Sequence, residues 1–215
     1  MVVPRPADDT GSLQSRSAGR WPDLGTGYAS TVAFALPWGA EITVENLDAI
    51  VDDGHRYELL NGAMLVTPAP HAAHQVCAGA LVTTLTLACG PQQLVLPAPF
   101  DYRIDDRTLL QPDVLVVRRS DIDRGRLTGT PLLVVEIQSP STRLIDLNLK
   151  RATYAGAGVP GYWLVDPTKP SVTVLELEAD AYVETAKAAG EVRLSISHPF
   201  PVTIVPQDLL QGLDA

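Results

Sequence analysis

Two apolar runs, 23 positions apart, constrain this 215-residue chain more than any other feature. The first is Leu109-Leu110-Gln111-Pro112-Asp113-Val114-Leu115-Val116-Val117; the second is Leu132-Leu133-Val134-Val135-Glu136-Ile137-Gln138. Short runs of Val, Ile and Leu bounded by turn residues read as buried strands. Each run nevertheless holds one carboxylate, Asp113 or Glu136. An ionised carboxylate is expensive to bury unless a cation or a metal meets it. A fold that pairs these strands must therefore collect compensating positive charge at one place.

The flanking sequence supplies the other elements. Thr43 reads as the N-cap of a short helix from Val44 to Asp52, with Gly54 just past its end. Arg56–Leu60 and Ala63–Thr67 flank Asn61-Gly62, the strongest short-range hairpin signal. Pro68 and Pro70 break the chain, and a helix from His71 to Cys89 follows, stopped by Gly90-Pro91. Its positions Val76, Leu81, Leu85 and Ala88 give it one buried face. Strands are expected at 93–96, at 100–104 and over the two acid-bearing runs. Ser139-Pro140-Ser141-Thr142 reads as a turn, Leu144–Ala157 as a helix ended by Gly158, and Gly161–Asp166 as a strand stopped by Pro167. Short strands at 171–177, 181–185 and 192–196 complete the series. Strands first, then strand–helix–strand, predict an α+β (mixed α/β) fold: a central mixed sheet flanked by helices, with an extra N-terminal hairpin and short C-terminal strands.

Residues 1–31 are rich in Pro, Gly, Ser, Asp and Arg without periodicity and read as a flexible tail, leaving 32–215 as a single domain. No apolar run approaches the ~18 residues of a membrane span, and the N-terminus lacks the basic-then-apolar order of a signal peptide. No membrane partner and a cytoplasmic location are the expectation. Cys77 and Cys89 fall twelve positions apart on one helix, roughly 18 Å at the helical rise, and read as buried free thiols. Net charge is −9, which argues against a broadly adhesive nucleic-acid surface. The charge is uneven, however: residues 101–151 carry nine Lys+Arg against eight Asp+Glu. The acid-bearing strands thus lie in the locally basic part, where arginines form either a phosphate track or an ordinary mixed-charge surface.

Alternation along a strand puts Val134, Glu136 and Gln138 on one face, while Pro112 forces extended backbone ahead of Asp113. If the two strands are neighbours, Asp113 and Glu136 converge on one cation. Mg²⁺, or Mn²⁺ in its place, suits such a site, since Mg²⁺ takes one or two carboxylates, keeps several waters and accepts phosphate oxygens. The backbone carbonyl of Ile137 is a further candidate ligand. Such an ion activates water for in-line attack on phosphorus, and a nearby positive group stabilises the developing charge. Lys150 is the candidate, although its i,i+4 spacing from Asp146 reads as well as a surface ion pair on a helix.

The ordered segments Tyr57-Glu58-Leu59-Leu60-Asn61-Gly62, Gln111-Pro112-Asp113-Val114, Val135-Glu136-Ile137-Gln138-Ser139-Pro140-Ser141-Thr142, Asp146 through Lys150 to Tyr154, and Gly158 through Tyr162-Trp163 to Pro167 carry a resemblance. The chain resembles the Uma-type restriction endonuclease family, within the PD-(D/E)xK (restriction-endonuclease-like) nuclease superfamily, over about Thr43 to Phe200. The resemblance implies a restriction-endonuclease-like core and metal-dependent cleavage of phosphodiester bonds in DNA. It implies Asp113 and Glu136 as metal ligands, Glu58 as an accessory acid, and Lys150 as the lysine moved from strand to helix. Two positions depart from the pattern: Gln138 stands where the superfamily has lysine, and Gly161 where an acidic residue is expected.

Other polar residues have plainer readings. Glu58 without the resemblance is an exposed strand residue. His71 and His74 share a helix face, but without a third ligand they read as a cap or a substrate-side contact rather than zinc. Arg143 and Arg151, with His71, are the candidate substrate contacts. Tyr162 and Trp163 read as core or dimer-contact aromatics. Ser139 and Ser141 lack a histidine partner for a serine hydrolase. Duplex-cutting enzymes commonly pair by symmetry, so a homodimer acting on DNA is the expectation. The competing reading is an inert nuclease-fold module that binds DNA or a protein partner without cutting.

Overall fold

The computed structural model describes residues 33–34, 42–47, 55–67, 69–139 and 145–213. The tail expected over 1–31, the end of the first helix beyond Leu47 with its Gly54 stop, Pro68 and the turn at 140–142 lie outside the described residues.

The fold is α+β, with two larger sheets. The smaller begins with β1 (Ala33–Phe34), followed after the short helix α1 (Val44–Leu47) by β2 (Arg56–Leu60) and β3 (Ala63–Thr67). Asn61 and Gly62 join β2 to β3 at φ of 52° and 82°. Positive φ at both central positions is the type I′ geometry that the Asn-Gly pair accommodates. With β5 (Tyr102–Asp105) and β6 (Thr108–Leu110) the sheet order is β1-β3-β2-β6-β5, antiparallel throughout.

The central sheet contains β4 (Gln93–Pro97), β7 (Val114–Arg118), β10 (Leu133–Ile137), β11 (Gly161–Asp166), β12 (Ser171–Glu178) and β13 (Ala181–Ala189). Its order is β13-β12-β11-β10-β7-β4. The sheet is mixed: β10 and β11 run parallel, and the other pairs are antiparallel. A small hairpin, β8 (Ile122–Asp123) with β9 (Arg126–Leu127), lies between β7 and β10 in the chain. A C-terminal pair, β14 (Leu194–Ile196) with β15 (Val202–Ile204), closes the fold. The second of these was not expected, and β13 runs four residues beyond its expected end at 185.

The first acid-bearing run, expected as one strand, is two. β6 ends at Leu110 and β7 starts at Val114, so Gln111-Pro112-Asp113 carries the chain from the small sheet to the central one. Proline donates no N–H to a ladder, and the ladder breaks where it stands. Asp113 therefore sits at the junction of the two sheets rather than inside a strand.

Parallel β10 and β11 require a crossover. It was expected as one α-helix over 144–157. Instead Ile145–Lys150 is a π-helical turn, and only Arg151–Gly156 is α-helical (α3). Gly158, at φ 72°, ends it as the left-handed residue past a helix terminus.

The central sheet is apolar on both faces. On one face Val114, Val116, Leu133, Val135, Trp163 and Val165 pack against α2 (Ala72–Ala88), through Cys77, Leu81 and Leu85, and against the C-terminal segment. On the other, Leu115, Val117, Val134, Tyr162 and Leu164 pack against Ile145, Tyr154 and Val159 of the crossover and Leu60 and Leu65 of the small sheet. The aromatics Tyr162 and Trp163 are thus core residues. Cys77 is buried and Cys89 half-buried, both free; for Cys89 the expectation of full burial fails because it stands past the helix end, where its thiol donates to the Thr86 carbonyl at 3.4 Å.

Gly161 shows why an acid is absent there. A Cβ at this position would lie 3.2 Å from Leu133 Cδ1 and 3.3 Å from the Leu132 carbonyl. Gly161→Glu would force a carboxylate into this close strand contact. It is expected to lower the unfolding free energy by at least ~2 kcal/mol, read by urea denaturation against wild type.

Candidate active site

Alternation on β2 turns Arg56 and Glu58 to one side of the strand, and alternation on β10 turns Glu136 to the crossover side with Val134. The π-helical turn delivers Lys150, and one turn further α3 delivers Tyr154. Asp113 arrives from the junction between sheets. β10 pairs with β7 in antiparallel register, so the two acid-bearing segments are neighbours.

The resulting cluster is buried and densely bonded. Glu58, Asp113, Glu136 and Lys150 are each 2–5% exposed. Lys150 Nζ donates to Glu58 Oε1 at 3.0 Å and to Glu136 Oε1 at 3.1 Å. The Tyr154 hydroxyl donates to the same Glu136 oxygen at 2.8 Å. Glu58 Oε1 also accepts the Gln111 amide at 2.8 Å. Asp113 Oδ2 accepts the Ile137 amide at 2.7 Å and faces His74 Nε2 at 3.2 Å. A carboxylate only accepts, so Nε2 carries the proton in that contact. Arg56 spans two acids, with Nη1 on Asp113 Oδ1 at 3.0 Å and Nη2 on Glu58 Oε1 at 3.3 Å.

These contacts decide the ionisation. Burial pushes the Glu58 carboxyl up, but Lys150, Arg56 and the Gln111 amide outweigh it and hold it below the ordinary carboxylate range. Burial likewise raises Asp113, yet the His74 hydrogen bond, Arg56 and the Ile137 amide take it far lower. Burial alone would lower Arg56, but Glu58, Asp113 and Glu136 keep it protonated. The Tyr154 hydroxyl is driven well up by burial and by Glu136 and Glu58, so it remains a donor. Burial, then Asp113, pushes the Cys77 thiol up to about 12, which makes it an inert core residue.

A cavity reaches the cluster. It has a volume of about 720 Å³, and Asp113, Arg56 and His74 lie in its wall with Ala78, Val82 and Leu109. Of the cluster's three acids Asp113 lines it, and Asp101 lies in the wall as well.

The sequence candidates fare differently. The structure brings Glu58, Asp113, Glu136 and Lys150 together. Glu58 is not the exposed strand residue of the plainer reading, and Lys150 is a buried partner of two acids. An i,i+4 argument assumes α-helical turns, and the π turn here bonds i to i+5; the Asp146 side chain lies outside what the structure describes. His71 is the exposed N-cap of α2, and its side chain makes no capping bond. Arg151 donates to the Tyr182 carbonyl at 2.6 Å, away from the cluster. Arg143 lies outside the described residues. Arg56, and the roles of His74 and Tyr154, were missed. The signal for Arg56 was its i,i+2 relation to Glu58; for Tyr154 it was its position one turn beyond Lys150.

The donor set is chemically suited to a divalent ion: carboxylates on adjacent segments and no soft ligand. In a ladder the N–H and C=O of one residue point to the same edge, so the Ile137 carbonyl lies on the Asp113 side, as its amide does. Among the described residues no three His, Cys, Asp or Glu side chains form a ready-made ligand group.

The family model described as "Putative restriction endonuclease" matches residues 44–209. The chain belongs to the Uma2 family. Its fold is similar to a crystal structure described as "a putative nuclease belonging to DUF820" from Anabaena variabilis ATCC 29413, with a TM-score of 0.61 and 18% identity. The match covers 79% of this chain and 97% of that one. No curated protein matches the sequence. No described helix of this Uma2-family chain is long and apolar enough to cross a membrane.

Two outcomes test the electrostatics. Lys150→Met leaves two buried acids short of a cation, and is expected to destabilise by ~3–5 kcal/mol, read by urea unfolding. The pH dependence follows from the depressed carboxyls of Glu58 and Asp113. Their contribution is complete above the unfolded-chain value near ~4 and is lost as pH falls from there toward the folded values. Between about pH 5 and about pH 3, wild type is expected to lose more stability than Asp113→Asn; equal losses would remove Asp113 from the account.

Proposed function

We propose that this Uma2-family protein is a metal-dependent endonuclease that hydrolyses phosphodiester bonds in DNA. The observation that carries the reading is the buried cluster of Glu58, Asp113, Glu136 and Lys150. Four segments, drawn from both sheets and the crossover, converge on it beside a cavity. A fold needs no such group for stability, since buried ion pairs are often replaceable by apolar residues at no loss. Asp113, Glu136 and the Ile137 carbonyl would hold Mg²⁺ or Mn²⁺. Such an ion supplies Lewis acidity at the phosphoryl oxygens and a water of lowered pKa.

The chain's own residues do the rest. Glu58 and Glu136 fix the Lys150 ammonium between them, and Tyr154 fixes Glu136. Lys150 is thereby preorganised to stabilise negative charge building on the phosphorus oxygens. Glu58 remains ionised and orients the lysine, acting as the accessory acid beside the attacking water. His74 orients Asp113. Gln138 takes no part, since the crossover supplies the ammonium that a strand lysine would otherwise bring.

The same reading takes the enzyme as a homodimer on duplex DNA, by the symmetry of a two-strand cut, and residues 32–215 as one domain. The free thiols Cys77 and Cys89 suit a reducing compartment such as the cytoplasm.

The test is cleavage of plasmid and single-stranded DNA with Mg²⁺, Mn²⁺ or EDTA. Wild type is expected to cut with either metal and to stop with EDTA. Asp113→Ala and Glu136→Ala, where folded, are expected to lose at least ~100-fold in rate, on the scale of losing a transition-state electrostatic contact. No cutting by folded wild type, under any metal, moves the reading to a nuclease-fold module that binds without cutting.

A further inference from the structure

The two cations of the cluster are held differently. Lys150 is 3% exposed and divides itself between Glu58 and Glu136 at 3.0 and 3.1 Å. It is enclosed, and Glu58 Oε1 and Glu136 Oε1 both hold it. Arg56 is 22% exposed and forms part of the cavity wall. Its hold on Glu58 is long, at 3.3 Å, and its Nε is buried without a hydrogen-bond partner. A guanidinium carries five N–H donors in a rigid fork. One of them is left buried and unsatisfied, so this seat is an incomplete one for Arg56.

What Arg56 occupies is the Oδ1 oxygen of Asp113, at 3.0 Å. The other Asp113 oxygen already faces the Ile137 amide and His74. Oδ1 is therefore the Asp113 oxygen with acceptor capacity to spare for a further cation, and the guanidinium lies against it. A divalent ion bound at that oxygen sets two further positive charges directly beside the guanidinium, and the like charges repel.

We propose that Arg56 is an exchangeable counter-ion of the site. It neutralises Asp113 and Glu58, yields Asp113 Oδ1 to a divalent cation, and swings into the cavity, where its fork meets a phosphate of the substrate strand. The proposal rests on the metal-dependent reading above. It makes metal entry and backbone phosphate binding cooperative: the cation frees the residue that the phosphate needs. Arginine suits both seats because its planar fork matches carboxylate and phosphate alike. The cavity, at about 720 Å³, has room for the swung side chain beside a nucleotide.

The experiment is calorimetric titration of Mn²⁺ alone into full-length wild type and Arg56→Gln, with circular dichroism and a thermal melt to establish that each is folded. Removing the competing guanidinium is expected to tighten Mn²⁺ binding by about fivefold to a hundredfold, the usual range for coupling between two ligands. Equal or weaker binding by folded Arg56→Gln, with wild type binding, overturns the exchange and leaves the metal reading standing. Binding by neither protein overturns both. A second measurement needs no variant of uncertain folding. In ¹⁵N–¹H spectra of the arginine Nε–H groups of wild type, Mg²⁺ is expected to shift one buried signal and speed its exchange with solvent. Spectra unchanged at saturating Mg²⁺ overturn the proposal.

Discussion

Everything near the site depends on how three carboxyl groups, with Glu58 and Asp113 held ionised, are kept out of water. Glu58, Asp113 and Glu136 cannot each be solvated, and in a low-dielectric interior their mutual repulsion is strong. The chain answers with a lysine from the crossover, an arginine from the hairpin, an imidazole from α2 and two backbone amides. Each of these comes from a different part of the fold. The cluster thus acts as a geometric condition on the architecture: the small sheet, the central sheet, α2 and the crossover must all be in place before the acids are compensated. This is costly as a way of gaining stability, since apolar packing does the same at less desolvation. Under the proposed nuclease reading its presence is a requirement of chemistry.

The break at Gln111-Pro112-Asp113 is the hinge of that arrangement. Proline ends one ladder, and the next begins two residues later in another sheet. The Gln111 amide then serves Glu58, while Asp113 turns to Ile137 and Arg56. A dipeptide that reads in sequence as a motif acts physically as a strand terminator that frees one amide and one carboxylate for the site.

Much of this was legible in the residues. The Asn61-Gly62 hairpin, the apolar strands 114–117 and 133–137 and the long helix follow from periodicity and turn chemistry, which are local. The gathering of positive charge around Asp113 and Glu136 followed from two buried acids needing compensation. What was not legible depends on tertiary geometry. On helix geometry alone Lys150 read first as a surface partner of Asp146, because spacing cannot distinguish an α turn from a π turn. Arg56 and His74 lie 57 and 39 positions from Asp113, and no pattern within one strand or helix announces such pairings. Arg151 was a candidate substrate contact by its neighbours, and the tie from its guanidinium to the Tyr182 carbonyl is a tertiary contact that no local pattern announces.

The parallel pairing of β10 and β11 has a last consequence for how such sites are found. Because the ammonium comes from the connection between these strands, its place along the chain is set by how the connection is threaded, and not by the two-residue period of β10. Two proteins could hold the same constellation in space with the lysine at unequal distances from the acid. A search by linear pattern passes over such relatives. A search that asks which cation lies above the end of the parallel pair would recover them.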